Sequence, residues 1–500
     1  MAEPFYITTA IHYPNGRPHI GHAYEMIAAD AIARFQRQHG RDVFFQTGTD
    51  EHGLKMVQTA RARGIEVRAL ADEMSGYFRE MADKLDISFD RFIRTSEAEH
   101  YKASQAIWKA MAEAGDLYLD RYEGWYSVRD EAFYEEKELV EGEGGQKLSP
   151  QGTPVEWTAE ETWFFRLSKY QQPLLDFYAA NPDFIRPESR RNEILRFVEG
   201  GLSDLSVSRT SFDWGVPVPD SPGHVMYVWV DALTNYITGA GYPDDPERFA
   251  TWWPADIHLI GKDIVRFHAV YWPAFLMSAK IALPKQVFGH GFLLNRGEKM
   301  SKSVGNVVDP MALVELYGVD ALRYFLLRDV SFGQDGTFSD EAIVTRANAD
   351  LANSFGNLAQ RTLAFIAKNC EGHVPEGRAE EADAVLLAEV DTACAAFRTA
   401  FDDLALSQGV EAWMTGVFAC NQYIDAQAPW TLRKTDPDRM RAVLRTLIRA
   451  IRQLAVAILP VIPTSASKLL AQLPSADDEG FRVGTPTPIF PRLELKTEEA

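Results

Sequence analysis

Phe5-Tyr6-Ile7-Thr8-Thr9-Ala10-Ile11-His12-Tyr13-Pro14-Asn15-Gly16-Arg17-Pro18-His19-Ile20-Gly21-His22 opens the chain, and its reading decides the fold. Phe5 to Ala10 is an apolar, β-prone run of the buried type, and Pro14 to Pro18 is turn chemistry. Helical periodicity follows through Met26, Ile27, Ile32 and Phe35 and stops near Gly40, before a second short strand at Val43-Phe44-Phe45. A strand, a helix and a strand in this order form a βαβ unit of an open parallel sheet. Such sheets bind ligands beyond the carboxyl ends of their strands. Two polar segments fall there: the turn before His19, and Thr47-Gly48-Thr49-Asp50-Glu51-His52.

Outward from this unit, helical patterns fill Leu54 to about Gly115. Between Tyr118 and Pro222 the character changes to Gly/Glu-rich hairpins, aromatic strands and short helices, which reads as an inserted module. The α/β rhythm resumes with a strand at Val225-Met226-Tyr227-Val228-Trp229-Val230, then Ile257-His258-Leu259-Ile260 leading into Gly261-Lys262-Asp263, then Val287-Phe288-Gly289. After Asp340 the pattern is helical to Pro460, broken by a loop from Gly372 to Glu381, which predicts a separate bundle.

Composition narrows the function classes. With 500 residues, 46% hydrophobic and 24% charged, the chain is neither disordered nor fibrous, and length alone suggests about three domains. The longest apolar run, Leu454 to Pro463, falls short of the roughly 18 residues of a membrane span, so no transmembrane helix is expected. The N-terminus enters its first strand without a basic region or a small-residue cleavage site, so a cytoplasmic location is expected. Cys370, Cys394 and Cys420 are the only cysteines, too few and too dispersed for a disulfide framework or a Cys-x-x-Cys knuckle. A net charge of −20 opposes indiscriminate nucleic-acid binding, so any RNA contact must use a local patch.

The sharpest chemical signal is a pair of motifs. His19-Ile20-Gly21-His22 opens the first helix, and Lys299-Met300-Ser301-Lys302-Ser303 lies in a loop after the last sheet strand. Chemistry at an ATP α-phosphate needs groups on the triphosphate that bind more strongly as charge shifts towards pyrophosphate. Two histidines on one helix turn and a Lys-x-x-Lys loop supply them. Singly, each motif also fits a surface helix or a solvated turn. Rival phosphate sites are missing: Gly261-Lys262 is not a P-loop, because Asp256 and Asp263 stand where Gly and Ser/Thr are required.

These motifs resemble the two signatures of class I aminoacyl-tRNA synthetases. Thr9-Ala10-Ile11-His12-Tyr13-Pro14-Asn15-Gly16, Gly48-Thr49-Asp50-Glu51-His52-Gly53, Tyr227-Val228-Trp229-Val230-Asp231-Ala232 and Ile260-Gly261-Lys262-Asp263-Ile264-Val265-Arg266-Phe267-His268 extend the resemblance to the methionyl-tRNA synthetase family over essentially the whole chain. The resemblance implies an α/β Rossmann-type parallel-sheet catalytic domain in two halves, 1–117 and 223–292, around a connective insert, 118–222. It further implies a lysine-motif loop with a stem-contact segment, 293–345, and an all-α helical-bundle anticodon-binding domain, 346–500. The implied activity is ATP-dependent ligation of L-methionine to tRNA(Met) through methionyl-adenylate. ATP is expected with Mg²⁺.

Carried over residue by residue, the resemblance gives His19 and His22 to the triphosphate and Lys299 and Lys302 to the developing pyrophosphate charge. Gly21 admits the nucleotide, and Gly261 and Asp263 contact the ribose. Methionine is expected against Ile11, Tyr13, Asp50, Trp229, Ala232, Leu233, Tyr236, Ile264 and His268. Physical chemistry agrees in outline, since a thioether suits polarizable aromatic walls (Tyr13, Trp229, Tyr236, Phe267) and an ammonium needs an anion, Asp50. Trp229 and Tyr236 also fit plain core aromatics at helical spacing. Anticodon recognition falls to Asn357, Arg361, Pro429 and Trp430. Arg441, Arg445, Arg449 and Arg452 form a helical stripe that reads first as a solvated face and second as a phosphate contact.

Many relatives carry zinc-binding cysteines in the insert; Gly124 to Tyr134 has none, so a metal-free knuckle held by aromatic residues is expected, with no structural zinc. No dimerising extension follows the bundle, so a monomer is expected. The insert is too short for the editing module of leucyl, isoleucyl and valyl relatives, and a cysteinyl enzyme would need cysteine ligands that are missing before Cys370. A small nucleotidyltransferase or an inactive RNA-binding relative are the rival classes. The first has no use for the helical domain, and the intact histidines and lysines argue against the second.

Overall fold

The computed structural model describes residues 2–130, 132–300, 305–373, 376–473 and 482–495. Two compact units emerge: Met1–Ala29, Gly40–Asp83 and Ile87–His290 form the first, and Asp30–His39, Lys84–Asp86 and Gly291–Ala500 the second.

The first unit is built on a six-stranded sheet of β1 (Pro4–His12), β2 (Asp42–Thr49), β3 (Arg91–Arg94), β4 (Ile185–Arg186), β5 (Ile257–Gly261) and β6 (Val287–His290), in the order β3-β2-β1-β5-β6-β4. Every pairing is parallel. Ile7 stands between Phe45 and Ile257 in register. The strands are apolar on both faces because helices cover both, as a parallel sheet requires. β1 has β2 on one side and β5 on the other. Strand order therefore reverses at β1, and the crevice at this switch point receives His12, Thr49 and Gly261 from three strand ends. Gly48 is required for this arrangement: a Cβ there would lie 2.0 Å from the Ile93 carbonyl oxygen on β3.

Two short segments escape the sequence pattern. Arg91–Arg94 is a sheet strand inside a stretch with helical periodicity, and four residues are too few to carry a period of their own. The expected strand Val225–Val230 is extended only at Val225–Met226, paired with Ser208–Arg209. The chain then enters helix α1 (Val228–Ala240), in which twelve of thirteen residues are buried. A helix buried all round can begin, as here at Val228-Trp229-Val230, with the same unbroken apolar run as a buried strand. Trp229, Ala232, Leu233 and Tyr236 accordingly occupy one helical face, at intervals of three, four and seven.

Within residues 118–222, antiparallel strands Leu117–Ser127 and Glu156–Phe165 pair from Leu117↔Phe165 to Tyr126↔Glu156, and Ala132–Tyr134 joins them. The turn that follows is held by more than the expected aromatic residues. Asp130 Oδ2 accepts from Ser149 Oγ at 2.6 Å and from Tyr134 OH at 3.0 Å, and Thr153 Oγ1 bonds to the same oxygen. Ser127 Oγ lies 2.7 Å from Thr153 Oγ1. A carboxylate collecting hydroxyls thus closes the knuckle. Arg209 adds a buried guanidinium against Phe133 and Tyr227, 4.5 Å from each ring centroid.

The second unit contains helices Asn357–Asn369, Glu381–Asp402, Leu406–Gln427, Pro429–Thr435, Pro437–Ile458 and Pro463–Leu470. Val443, Leu447, Ile451, Leu454 and Ile458 bury one face of Pro437–Ile458, leaving Arg441, Arg445 and Arg449 exposed on the other. Arg445 pairs with Glu376 at 3.2 Å. A charged knot in this unit is fully buried: Arg323 Nη2 meets Asp30 at 2.6 Å while its other nitrogens donate to the Leu85 and Val461 carbonyls. Leu293–Asn295 and Glu298–Lys299 form a hairpin through Arg296 and Gly297, both at positive φ. Lys299, expected in a loop, therefore ends a strand. Lys302 lies outside the described residues.

Candidate active site

The helix Ile20–Gln38 begins directly after His19, and the backbone of its first turn orients both histidines. The His19 N–H donates to His22 Nδ1 and the Gly21 N–H to His19 Nδ1, each at 3.1 Å. An imidazole that accepts at Nδ1 carries its proton at Nε2 when neutral, so both rings are set as Nε2–H donors. The rings stack 3.8 Å apart. Gly21 makes room for this pair, since a Cβ there would lie 2.9 Å from the His19 ring.

Asp50 follows β2, and its N–H donates to the His12 carbonyl at 2.9 Å, extending the β1–β2 ladder to the crevice. The next residue anchors the turn. Glu51 is fully buried and accepts from Arg94 Nε at 2.6 Å and Nη2 at 3.0 Å and from Thr49 Oγ1 at 2.8 Å. His52 Nδ1 lies 2.5 Å from Asp231 Oδ2, and His100 Nε2 lies 2.6 Å from Asp231 Oδ1. Burial alone would raise the Asp231 carboxyl, but the charge of His52 and the bonds from both histidines outweigh it and bring it down to about 2. Asp231 sits on α1, so this bridge ties the helix bearing Trp229 and Tyr236 to the turn bearing Asp50.

Beyond Gly261 the chain makes a 3-10 turn, Lys262–Ile264, and then a π-helical turn, Phe267–Tyr271, a distortion that recurs at functional sites. It lays Phe267 flat on Trp229, with ring centroids 3.8 Å apart and planes within 7°. His268 Nδ1 donates to the Ile264 carbonyl at 2.9 Å, which leaves Nε2 to accept from Tyr236 OH at 2.6 Å. Burial pushes His268 down to about 4, so the ring is neutral near pH 7. The result is an uncharged aromatic wall with a polar pair fixed in its depth. Trp229 Nε1 is buried and makes no hydrogen bond.

The structure thus places Ile11, Tyr13, His19, Gly21, His22, Asp50, Trp229, Ala232, Leu233, Tyr236, Gly261, Asp263, Ile264 and His268 in the first unit, on strand ends of the switch point or on elements joined to them by the contacts above. Tyr13 and Trp214 each pack against the Met56 cluster, and Asp263 is exposed. His100, which completes the Asp231 bridge, carries no motif of its own, and only the fold reveals it. His52 and Asp231 stand inside motif segments but have no sequence signal for pairing with each other.

In the second unit the anticodon candidates converge. The Arg361 guanidinium lies 5.2 Å from the Trp430 ring centroid and pairs with Asp425 at 3.1 Å. Asn357 is exposed one turn before Arg361 on the same helix. Ala428 adopts a left-handed conformation, Pro429 starts the next helix, and Trp430 is left 43% exposed.

Comparison with known proteins agrees on one family. Residues 5–363 match the family described as tRNA synthetases class I (M), and residues 374–485 match the anticodon binding domain of methionyl tRNA ligase. The methionine–tRNA ligase of Brucella suis biovar 1 is 59% identical, with 99% of each chain covered, and that of Mycobacterium tuberculosis strain H37Rv is 56% identical, with 98% of each covered. The structure of Mycobacterium tuberculosis methionyl-tRNA synthetase in complex with methionyl-adenylate superposes with a TM-score of 0.94 at 57% identity, covering 98% of this chain and 100% of the other. The apo form of that enzyme gives 0.88 at 53% identity, with 99% of each chain covered. Identity at this level over full length, on a switch-point site whose histidine pair, carboxylate and neutral aromatic wall suit activation of an apolar amino acid, shows that the chain belongs to the class I methionyl-tRNA synthetases.

Proposed function

We propose that the enzyme forms methionyl-adenylate and transfers methionine to tRNA(Met). The observation that carries this reading is the neutral Tyr236–His268 pair behind the Trp229–Phe267 wall, with Asp50 at the neighbouring strand end. A cation in that wall would oppose a thioether, whereas a polarizable neutral surface suits it. Asp50 takes the α-ammonium, with Ile11, Tyr13, Ala232, Leu233 and Ile264 around the substrate.

In the first step a methionine carboxylate oxygen attacks the α-phosphorus, the bond to the β-phosphate oxygen breaks, and pyrophosphate leaves with the electron pair. The terminal ribose hydroxyl of tRNA then attacks the carbonyl carbon, its proton passes to solvent, and AMP leaves. No enzyme nucleophile is needed; catalysis is positioning and charge stabilisation. His19 and His22 donate from Nε2 to the triphosphate, Lys299 and Lys302 meet the developing charge, and Gly261 and Asp263 hold the ribose. Mg²⁺ accompanies the nucleotide. The triphosphate oxygens would supply ligands to that ion. The insert works without structural zinc, and the enzyme acts as a cytoplasmic monomer; no helix among the described residues is long and apolar enough to cross a membrane.

ATP–pyrophosphate exchange without tRNA, run with each of the twenty amino acids, tests the reading. Methionine alone should support exchange; exchange with another amino acid would show the pocket misassigned. Asp50→Asn should raise the methionine KM in this assay about tenfold, the loss of roughly 1.4 kcal/mol expected when a charge-assisted bond becomes neutral. Asn357, Arg361, Pro429 and Trp430 form the anticodon site in the helical domain. Trp430→Ala should raise the KM for tRNA about tenfold, since base–aromatic stacking contributes roughly 1–3 kcal/mol, and should leave exchange unchanged. A defect in exchange would refute the domain assignment.

A further inference from the structure

A third histidine stands behind the motif pair. His12 ends β1 and is 6% exposed. Its ring stacks on Phe78 of helix Val67–Lys84 at 5.4 Å and meets His22 edge-on at 5.0 Å. Phe78 also touches His22 edge-on, at 5.0 Å, so the rings of Phe78, His12, His22 and His19 form one packed series. His12 Nε2 is buried and makes no hydrogen bond. A buried polar atom left unpaired costs roughly 1–3 kcal/mol, and its retention points to a state in which the atom is used.

We propose that His12 is a further residue of the triphosphate site, neutral in the free enzyme and protonated from water when the nucleotide binds, so that it backs His22 with positive charge. The inference rests on the assignment of His19 and His22 to the triphosphate. Those two rings are poorly placed to take the proton, because each Nδ1 already accepts a backbone N–H and protonation there would break that bond. His12 has a nitrogen to protonate at no such loss.

The groups facing the ring agree with a switch driven by the ligand. The helix Ile20–Gln38 contributes His22 and Glu25, with His19 directly before it; β6 contributes His290; the residue after β2 is Asp50, whose N–H bonds to the His12 carbonyl. Among the described contacts, the helix Val67–Lys84 offers only Phe78. Both Glu25 oxygens are engaged, one by the Ala10 N–H at 2.9 Å and one by His290 Nε2 at 2.7 Å. Burial holds the His12 imidazole below its usual range, with Glu25 opposing and His290 reinforcing that direction. A triphosphate at His22 adds several negative charges that favour the cation.

The sign follows from linkage. A group whose pKa is higher in the complex strengthens binding as pH falls, by at most about tenfold over each pH unit between its free and bound pKa values. The test is calorimetric titration of the whole enzyme with α,β-methylene-ATP and Mg²⁺, without methionine, in two buffers of different ionisation enthalpy, at pH 6 and pH 8.5. Wild type should take up about half a proton more per nucleotide than H12Q at pH 6, and the same number at pH 8.5. The Kd of H12Q should be about fivefold weaker than wild type at pH 6 and equal at pH 8.5. H12F keeps the stack on Phe78 and must lose the same proton, which separates titration from packing. Equal uptake by wild type, H12Q and H12F overturns the inference. H22Q distinguishes the two levels: unchanged nucleotide binding by H22Q would overturn the triphosphate assignment itself, whereas weakened binding by H22Q alongside equal uptake in wild type and H12Q removes only the role of His12.

Discussion

Lys302→Ala should lower kcat for methionine-dependent ATP–pyrophosphate exchange about 10²–10³-fold while the methionine KM moves by no more than about threefold. Negative charge moves onto the leaving pyrophosphate oxygen only as the bond to the α-phosphorus breaks. A lysine aimed at that charge binds the transition state more strongly than the ground state, so its loss appears in kcat. Lys299 and Lys302 are three apart in the lysine motif, and the hairpin pairing of Lys299 with Leu294 anchors the start of that run. Lys302→Arg keeps the charge and should recover part of the rate. Pre-steady-state measurement of adenylate formation checks this directly, and equal losses in rate and methionine binding would remove the transition-state role.

Arg439→Met should destabilise the helical unit by about 3–5 kcal/mol at neutral pH. Arg439 is 3% exposed and grips Asp383 through both carboxylate oxygens, at 2.6 and 2.7 Å. Tyr423 OH also bonds to Asp383, and Arg439 Nη2 donates to Gln427 Oε1 at 2.8 Å. Removing the guanidinium leaves a buried carboxylate without its counter-ion. Burial tends to raise the Asp383 carboxyl, but bonds from Arg439 and Tyr423 hold it below the usual carboxylate range. In the wild type this contribution is complete above the unfolded pKa and is lost as pH falls through the folded one. In the variant the unpaired carboxyl is raised and gains a proton before the wild-type one as pH falls, so the difference between the two proteins should be smaller at pH 4 than at pH 7. Asp383→Asn combined with Arg439→Met should recover part of the loss, because the charge is removed with its partner. Denaturant titration at pH 7 and pH 4 measures both effects. Gln427 stands just before Ala428, Pro429 and Trp430, so the same knot supports the turn that presents Trp430. A single variant with a normal transition midpoint would show that the pair does not carry the bundle.

Much of this architecture is legible in the sequence. The strand–turn–helix–strand opening of the chain, the late helical bundle and the two charged motifs are local patterns, and local patterns follow from backbone propensity and hydrophobic period. The failures are equally physical. α1 reads as a strand because burial on all sides erases its period, and Arg91–Arg94 is too short to show one. The expected aromatic knuckle omitted the Asp130 cluster because its hydroxyls are spread from Ser127 to Thr153 and meet only through a hairpin.

By itself, then, the sequence determined a parallel α/β domain with a helical partner, and it nominated His19 and His22, Asp50, Trp229, Tyr236, His268 and Trp430 as the candidates for its chemistry. The proton positions on those histidines, the neutrality of the Tyr236–His268 wall and the clamp of Asp231 between His52 and His100 were decided only by tertiary structure. Each depends on burial and on hydrogen-bond partners more than thirty residues away in the chain or on the backbone of a folded turn. The unpaired nitrogen of His12 belongs to the same class, since a histidine at the end of a strand has no meaning in sequence until Phe78 and His22 close around it.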